Sequence, residues 1–389
     1  MEIVKKYITN RGKLIFSTVF LSLFVILPIL ALIFSVAIID TSNFQYLWDN
    51  LLFEYSLDTI YLIAITSIFS LLFGILPAWY VSTNEFKFKN IYDIFLYLPL
   101  AIPAYIMAFT YSDVLSYTGP IQSFSRKYFP DFADLINQDY LQIEVLGIIM
   151  ALSLYPYIYT ACRLSFSLIG ANYINLSRSL GMSRLKTFFK IVIPLSRVAI
   201  FSGLFLIIME VLNEYGAVKY FGVNTFTSGI FRSWYSMQDV ETASLLAVLL
   251  FFIVVFFFSI ERYLNSRYKF NYAPNTKKFK NEPLSFKNRF IIHLVCLIPI
   301  ILGFLIPVLF IINNVIYEFS RIDFEKVFNL TTNTVIISLI SSVIIVIIAV
   351  YFQFLKRIFK NRTITFFNEL ISLTYALPVS YTHLRAHET

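Results

Sequence analysis

The chain has 389 residues, of which 58% are hydrophobic, 18% aromatic and 14% charged, and its formal net charge is +8. A soluble globular protein carries about 45–50% apolar and about 25% charged residues, so this composition excludes a soluble enzyme and an intrinsically disordered chain. It is typical of a protein that crosses a bilayer many times, and the positive charge is read first as a topology signal rather than as a sign of nucleic-acid binding.

Eight apolar segments are long enough to cross a bilayer as helices, since a spanning helix needs about 20 mainly apolar residues. The fold class is therefore an all-α polytopic membrane protein. A basic start without a cleavage site predicts that the first segment stays in the membrane as a signal-anchor. The predicted spans are 14–39, 57–82, 91–112, 145–166, 198–215, 242–260, 290–316 and 334–355, with a ninth beginning near Phe366.

The charges between the spans predict the topology. One alternating set of segments holds 24 Lys and Arg against 4 Asp and Glu, and the other holds 6 against 16. Because basic loops stay in the cytoplasm, the first set is predicted to be cytoplasmic, which places the N-terminus inside. The basic set comprises 1–13, 84–90, 163–197, 261–289 and 356–362, and the acidic set comprises 40–58, 113–144, 210–241 and 318–326.

The basic segment between the fourth and fifth spans predicts a helix, a turn and a second helix. Gly181 can adopt the left-handed conformation that closes the first helix, and Ser183 can cap the second. Pro194 either ends the second helix or marks the start of the fifth span. Residues 172–194 contain this segment, and we name them the coupling loop.

The coupling loop resembles the EAA loop of ABC importer permeases, in which E-A-A is followed by three residues, Gly, nine residues and I-x-L-P. Gly181, Ile191 and Pro194 have that spacing, and Ile193 replaces Leu. Asn175, Leu176 and Ser177 stand where E-A-A usually stands. The resemblance implies that this loop inserts a short helix into a cytoplasmic ATP-hydrolysing subunit. A basic amphipathic loop lying on anionic lipid is the alternative, but it does not explain the Gly–Ile–Pro register.

The stretch from Met209 to Trp234 is similar to the corresponding part of ferric-iron importer permeases, the large kind with two halves. It contains Glu210, a carboxylate deep in the fifth span, which should face protein or a wet cavity because charge in a membrane is costly. Glu210 either lines the transport pathway or makes a buried hydrogen bond. Asn213, Glu214 and Tyr215 follow near the predicted outer end, where a cation or its chelator could pass. No metal site is predicted, because one Glu and one Tyr do not make one.

The chain also contains a weak internal repeat. A shift of 275 residues places Asp58-Thr59 on Asn333-Thr334 and Ala101-Ile102-Pro103 on Ala376-Leu377-Pro378. Two unrelated apolar stretches would be the alternative reading. A parallel duplication predicts a first half at 1–264 with six spans, a basic cytoplasmic linker at 265–289 and an incomplete second half at 290–380. The polar residues 381–389 are interpreted as a non-native tail, and a complete two-half chain would have roughly 540 residues.

Taken together, the resemblance implies an ABC importer permease that moves ferric iron across the bacterial inner membrane, with thiamine, polyamine, sulfate or phosphonate as alternative substrates. It implies two kinds of partner, an extracytoplasmic solute-binding protein and a pair of cytoplasmic ATP-binding subunits. The chain lacks a GxxxxGK[ST] loop, so ATP is expected on another chain, with no cofactor, catalytic residue or nucleic acid expected here.

A proton- or ion-coupled secondary transporter is the alternative from another class, because it would share the parallel repeat. Such a transporter should have a charged G-x-x-x-D-type motif between the second and third spans, which the segment 84–90 lacks. His293 lies alone in a span and is predicted to be packed or hydrogen-bonded rather than catalytic.

Overall fold

The computed structural model describes residues 11–36, 42–132, 137–266 and 286–358, together with 364, 366–367 and 371. Within these residues the chain is helical and contains no β-strand, as predicted. The α-helices are α1 Arg11–Val36, α2 Ser42–Asn50, α3 Leu52–Thr83, α4 Lys89–Phe95, α5 Ala104–Leu115, α6 Pro120–Tyr128, α7 Ile143–Ser179, α8 Arg184–Thr187, α9 Ile193–Asn213, α10 Gly216–Phe221, α11 Phe226–Phe231, α12 Val240–Ser266, α13 Phe286–Ile300, α14 Ile306–Glu318 and α15 Phe324–Ile358.

Seven helical segments of the described chain are long and apolar enough to cross a membrane, and an eighth is present if one bent pair counts as a single span. They correspond to the eight predicted spans. The helices run further than the apolar segments that predicted them: α7 continues to Ser179, and the helix of the fifth span begins at Arg184. An apolar run predicts where lipid surrounds a helix, while backbone hydrogen bonding continues into the polar sequence beyond it.

The third predicted span, 91–112, is wrong as one straight helix. The segments Lys89–Ala101 and Ala104–Tyr128 meet at an angle of 93°. The break falls at Ile102 and Pro103, where Ile102 is extended with φ −103° and ψ 111°. A residue before proline avoids the helical region, and Pro103 has no N–H to continue the helix.

The core is built on α7, which packs against α3 and α9. Ile158 of α7 is fully buried between two glycines. A Cβ on Gly74 of α3 would lie 2.7 Å from Ile158 Cγ2, and a Cβ on Gly203 of α9 would lie 3.1 Å from Ile158 Cα. Small residues allow membrane helices to approach this closely.

A polar contact also joins α4 to α7. The Arg163 guanidinium lies 3.3 Å from Asp93 Oδ2, and both side chains are partly buried. Tyr159 donates a second hydrogen bond to Asp93 Oδ1. A second contact joins α4 to α13, in which the Tyr92 hydroxyl lies 3.0 Å from His293 Nδ1. His293 is therefore hydrogen-bonded, as predicted.

The described helices group into two compact units. The larger comprises the described residues from Ser42 to Ile312 and contains the coupling loop. The smaller comprises α1 and the described residues from Asn313 onward, and in it Ser17 Oγ and the Tyr351 hydroxyl form a hydrogen bond. The predicted division at 264 and 289 stays a prediction, because most of the linker, the tail 381–389 and most of the ninth span lie outside the described residues.

Candidate functional site: the coupling loop and the cleft beyond it

The turn of the coupling loop is closed by Gly181. Its φ is +74°, and the amide of Met182 donates to the carbonyl of Ser177 over 3.0 Å. This is the hydrogen bond of a glycine-terminated helix end, and it confirms the predicted conformation of Gly181. A Cβ at Gly181 would meet no atom within 4 Å, so glycine is required here by backbone conformation and not by lack of space.

Ser183 caps the second helix, as predicted, by accepting a hydrogen bond from the amide of Lys186. This helix is not separate from the fifth span: α8 is one turn long and passes through a π-helical stretch at Phe188–Val192 directly into α9. Pro194 lies in the first turn of α9. Of the two interpretations of Pro194, the start of the span is therefore the one observed, since the helix continues through this residue. The π-helical stretch lies directly before Pro194, and irregular helical turns are a common accompaniment of a missing N–H.

The two arms of the coupling loop are joined by buried hydroxyls. Ser177 Oγ of α7 lies 2.9 Å from Thr187 Oγ1 of α8, and both residues are buried. Trp79 of α3 packs against the base of the second arm, with its ring centroid 5.2 Å from that of Phe188. These contacts hold the coupling loop to the helix bundle.

The other surface of the coupling loop is apolar and exposed. Leu185 is 72% exposed and Phe189 is 65% exposed, and Arg184, Lys186 and Lys190 are interleaved with them. Leu176 and Leu180 extend the same exposed surface on the first arm. A rigid apolar surface rimmed by cations is suited to docking into a groove of another protein.

The residues that stand in the E-A-A positions are separated by the fold. Asn175 and Leu176 are exposed, whereas Ser177 is buried in the hydroxyl pair. Ile191 is partly buried within the π-helical stretch. The first two can contact a partner, while Ser177 and Ile191 shape the loop from within.

The four residues predicted near the pathway lie at the opposite end of α9. Glu210 accepts a hydrogen bond from the Tyr157 hydroxyl of α7 over 3.3 Å. Asn213 is the last residue of α9, and its buried Oδ1 has no hydrogen-bond donor among the described residues. Tyr215 stacks on Phe231 with ring centroids 3.6 Å apart. The contact between Glu210 and Tyr157 agrees with the interpretation of Glu210 as a hydrogen-bonded residue that joins two helices. The other interpretation, that Glu210 lines the transport pathway, stays a prediction.

Glu214 closes the end of α9. Its Oε1 accepts from the amide of Ala217 over 2.9 Å. Burial raises the pKa of the Glu214 carboxyl above its ordinary value of 4.5, the hydrogen bond from Ala217 opposes that shift, and the charge of Glu210 adds to it. Removal from water disfavours the charged form of a carboxyl, which is why burial raises this pKa.

Beyond Glu214 the chain forms a cleft of about 790 Å³ that we name the cationic cleft. It lies at the far end of α9 from the coupling loop, a distance of about 30 Å for a helix of this length. Its lining residues are Tyr215, Lys219, Gly222, Val223, Ser228, Phe231, Arg232, Tyr235 and Ser236.

Sequence reasoning missed several of these residues. Lys219 and Arg232 lie 13 positions apart and line one cleft because the chain turns at Gly222 between α10 and α11. Ser177 and Thr187 carry no motif of their own. The turn predicted at Gly181 was the available signal that the two arms meet.

Residues 70–270 match the family model described as "Binding-protein-dependent transport system inner membrane component". The chain belongs to this family. It is thus a multi-pass inner-membrane permease of an ABC importer, and the secondary-transporter alternative is wrong. Such permeases are transport components rather than enzymes.

Curated relatives within the family serve different substrates. The chain is 27% identical over 213 residues to the sulfate transport system permease protein CysT of Salmonella typhimurium, covering 54% of this chain and 73% of that protein. It is 24% identical over 343 residues to the Fe(3+)-transport system permease protein FbpB 2 of Haemophilus influenzae, covering 87% of this chain and 63% of that protein. It is 28% identical over 200 residues to the molybdate/tungstate permease WtpB of Methanocaldococcus jannaschii, covering 51% and 74%.

The fold is also found among solved structures. A bacterial alginate ABC transporter, solved in complex with an alginate pentasaccharide-bound periplasmic protein, has a chain that matches with a TM-score of 0.55 and 16% identity. The match covers 68% of this chain and 96% of that chain. At this identity the likeness shows the fold alone.

Proposed function

We propose that this permease moves ferric iron from an extracytoplasmic solute-binding protein into the cytoplasm, using ATP that a separate pair of cytoplasmic subunits hydrolyses. The observation behind the coupling is the geometry of the coupling loop. Its turn is fixed by Gly181 and by the buried pair Ser177 and Thr187, and its apolar surface is exposed. An ATP-binding subunit can grip that surface and move it as one piece.

The proposed mechanism is alternating access. The partner subunits close on ATP, the coupling loop moves with them, and α9 transmits the displacement toward the cationic cleft. The loop needs only a different contact free energy with its partner in the two states to shift their populations. The basic loops favour a cytoplasmic coupling loop and N-terminus, which places the cationic cleft toward the outer face.

Ferric iron is supported by the extent of one alignment. The similarity to the Fe(3+) permease FbpB 2 covers 87% of this chain, whereas the similarity to the sulfate permease CysT covers 54%. The longer alignment exceeds the region that the family model matches, 70–270. It therefore supports the prediction that residues 290–380 begin a second permease half.

A free oxyanion such as sulfate or molybdate is the second candidate substrate. The specific observation in its favour is the cationic cleft, in which Lys219 and Arg232 are exposed. Curated permeases for sulfate and for molybdate or tungstate are also among the similar proteins.

Copurification with the ATP-binding subunit tests the coupling role. The full chain is coexpressed with the ATP-binding protein encoded beside it and captured from detergent-solubilised membranes. We expect the ATP-binding protein to be recovered, and Leu185→Asp or Phe189→Asp to abolish recovery because each places a charge in the apolar surface. Phe129→Asp is the control, since Phe129 is also an exposed aromatic residue, at 54%, but lies outside the coupling loop. Recovery that is unaffected by all three substitutions would remove the coupling role.

Uptake decides between the substrates. Cells that express the chain with its partners are compared with cells that lack it, using radiolabelled ferric iron, sulfate and molybdate in parallel. Iron accumulation that depends on the chain is the expected result. Accumulation of sulfate or molybdate without iron would replace the first candidate by the second.

A further inference from the structure

The cationic cleft carries unbalanced positive charge. Lys219 and Arg232 are exposed in its lining, and the nine lining residues include no carboxylate. Neither cation forms an ion pair with a residue that the structure describes. Lys219 lies over the ring of Tyr215, 5.3 Å from its centroid, but a ring does not neutralise its charge. Two cations that face one cavity without a carboxylate counter-charge attract an anion from solution.

The carboxylates nearest in sequence are engaged elsewhere. Glu214 accepts from the amide of Ala217 and is not among the residues that line the cleft. Asp239 caps α12 by accepting from the amide and the hydroxyl of Thr242, over 2.9 Å and 2.6 Å. The positive end of a helix offsets the charge of such a cap. These groups leave the charge of the cleft positive.

The wall behind the cations is rigid. The rings of Tyr215, Phe231 and Tyr235 form a stack, in which Phe231 and Tyr235 are 5.8 Å apart and inclined by only 9°. Gly222, with φ +69°, turns the chain between α10 and α11, and a reciprocal pair of hydrogen bonds between Thr225 and Ser228 fixes the start of α11. A wall that is already ordered loses little entropy when a ligand binds.

The positive charge of the cationic cleft determines the chemical form of a substrate that could bind there. Lys219 and Arg232 would repel a bare trivalent metal ion and attract a multiply charged anion, and the hydroxyls of Tyr215 and Tyr235 can donate to its oxygen atoms. We propose that the cationic cleft is a binding site for an anion with several oxygen atoms. The anion is either a free oxyanion or ferric iron enclosed in an oxygen-donor chelate, and in this respect the proposal rests on the proposed function.

Direct binding tests this site without any partner. The purified full chain in lipid nanodiscs is titrated with sodium sulfate, sodium molybdate and ferric citrate at constant ionic strength, with sodium chloride and sodium citrate as references. Trp234 is the reporter, because its ring lies 4.3 Å from that of Tyr235 in the wall. The Trp234→Phe variant identifies its emission and corrects for light absorbed by ferric citrate.

We expect saturable changes that Lys219→Gln and Arg232→Gln each weaken by about tenfold, whereas Lys219→Arg retains binding. Lys127→Gln is the matched control, since it removes one exposed positive charge on α6 and should change nothing. Saturation by sulfate or molybdate assigns the free oxyanion, and saturation by ferric citrate but not by sodium citrate assigns the chelate.

Three results would overturn the proposal: no saturable change with any of these anions, the same change with chloride, or equal effects of Lys219→Gln and Lys127→Gln. If the titrations are flat and Lys219→Gln instead weakens capture of the solute-binding protein, the cleft is a docking contact and the proposal is wrong. The titration uses no ATP-binding subunit, so its failure is distinguishable from failure of the coupling role.

Discussion

Ser177 and Thr187 meet across the turn of the coupling loop, with their hydroxyl oxygens 2.9 Å apart and both residues buried. Each hydroxyl oxygen also lies within hydrogen-bonding distance of a backbone carbonyl of its own arm: Ser177 Oγ is 2.7 Å from Ile174 O, and Thr187 Oγ1 is 3.1 Å from Ser183 O. Because a hydroxyl has one hydrogen, one of the two donates to the other and the second donates to its carbonyl. The pair therefore joins the end of α7 to the start of α8, and the loop moves as one piece only while this junction holds.

A double-mutant cycle on this pair should reveal their coupling. We expect Ser177→Ala and Thr187→Ala each to lower the free energy of unfolding by about 0.5–1.5 kcal/mol, because each leaves a buried hydroxyl without its partner. The double variant should lose less than the sum of the two. Thermal unfolding of the purified protein in detergent measures all three, and strict additivity would mean that the two hydroxyls do not interact.

The turn at Gly181 makes a second prediction. Gly181→Val should abolish substrate-stimulated ATP hydrolysis by the reconstituted assembly yet leave membrane insertion intact, because a β-branched residue at φ +74° is strained by about 1–3 kcal/mol. Gly181→Asn is the matched control, since asparagine tolerates the left-handed region. Normal transport by the valine variant would count against the coupling role of the loop.

The ion pair between Asp93 and Arg163 should matter more than an exposed pair does. We expect Asp93→Asn to lower the free energy of unfolding by about 1–3 kcal/mol, because it leaves the partly buried guanidinium without a counter-charge. Adding Arg163→Gln should recover part of this loss. Glu318→Gln, which breaks a pair with the exposed Arg321, should change stability by no more than about 0.5 kcal/mol. Chemical unfolding in detergent compares the three variants, and equal losses for the two single substitutions would contradict the prediction.

Glu214 should make stability depend on pH. Because its pKa is raised in the folded protein, its neutral form is the one that folding favours, and this contribution is complete below the ordinary value of 4.5 and lost as pH rises through the raised pKa. Glu214→Gln, which keeps an acceptor for the Ala217 amide, should flatten the pH dependence of the melting temperature above pH 4.5. An unchanged slope in the variant would show that Glu214 is not responsible.

Much of this architecture could be predicted from local patterns. Apolar length predicted the spans, and the left-handed Gly181 and the cap at Ser183 followed from residue type alone. The bend at Pro103 was missed because membrane helices often tolerate proline, so the residue does not by itself distinguish a kink from a straight span. The full lengths of α7 and of the helix from Arg184 were missed because the spans were predicted from apolar length. A helix that continues into polar sequence beyond the lipid gives no such signal.

The cationic cleft could not be predicted, for a different reason. Lys219 and Arg232 belong to separate short helices, and nothing in their spacing indicates that they share a cavity. Only the turn at Gly222 and the packing of α10 and α11 on the other helices bring them together. Similarly, Trp79 lies more than one hundred positions before Phe188, and their contact depends on the packing of three helices.

The burial of Ile158 between Gly74 and Gly203 constrains how this bundle can change shape. Because glycine has no side chain that could move aside, sliding α3 or α9 along α7 would bring Ile158 into steric contact with the backbone of the sliding helix. The lower-energy motion is a joint tilt of α3, α7 and α9 with their packing preserved. A displacement of the helix ends at one membrane face would then produce a displacement of the opposite ends at the other face. Its size would depend on the length of the tilting helices.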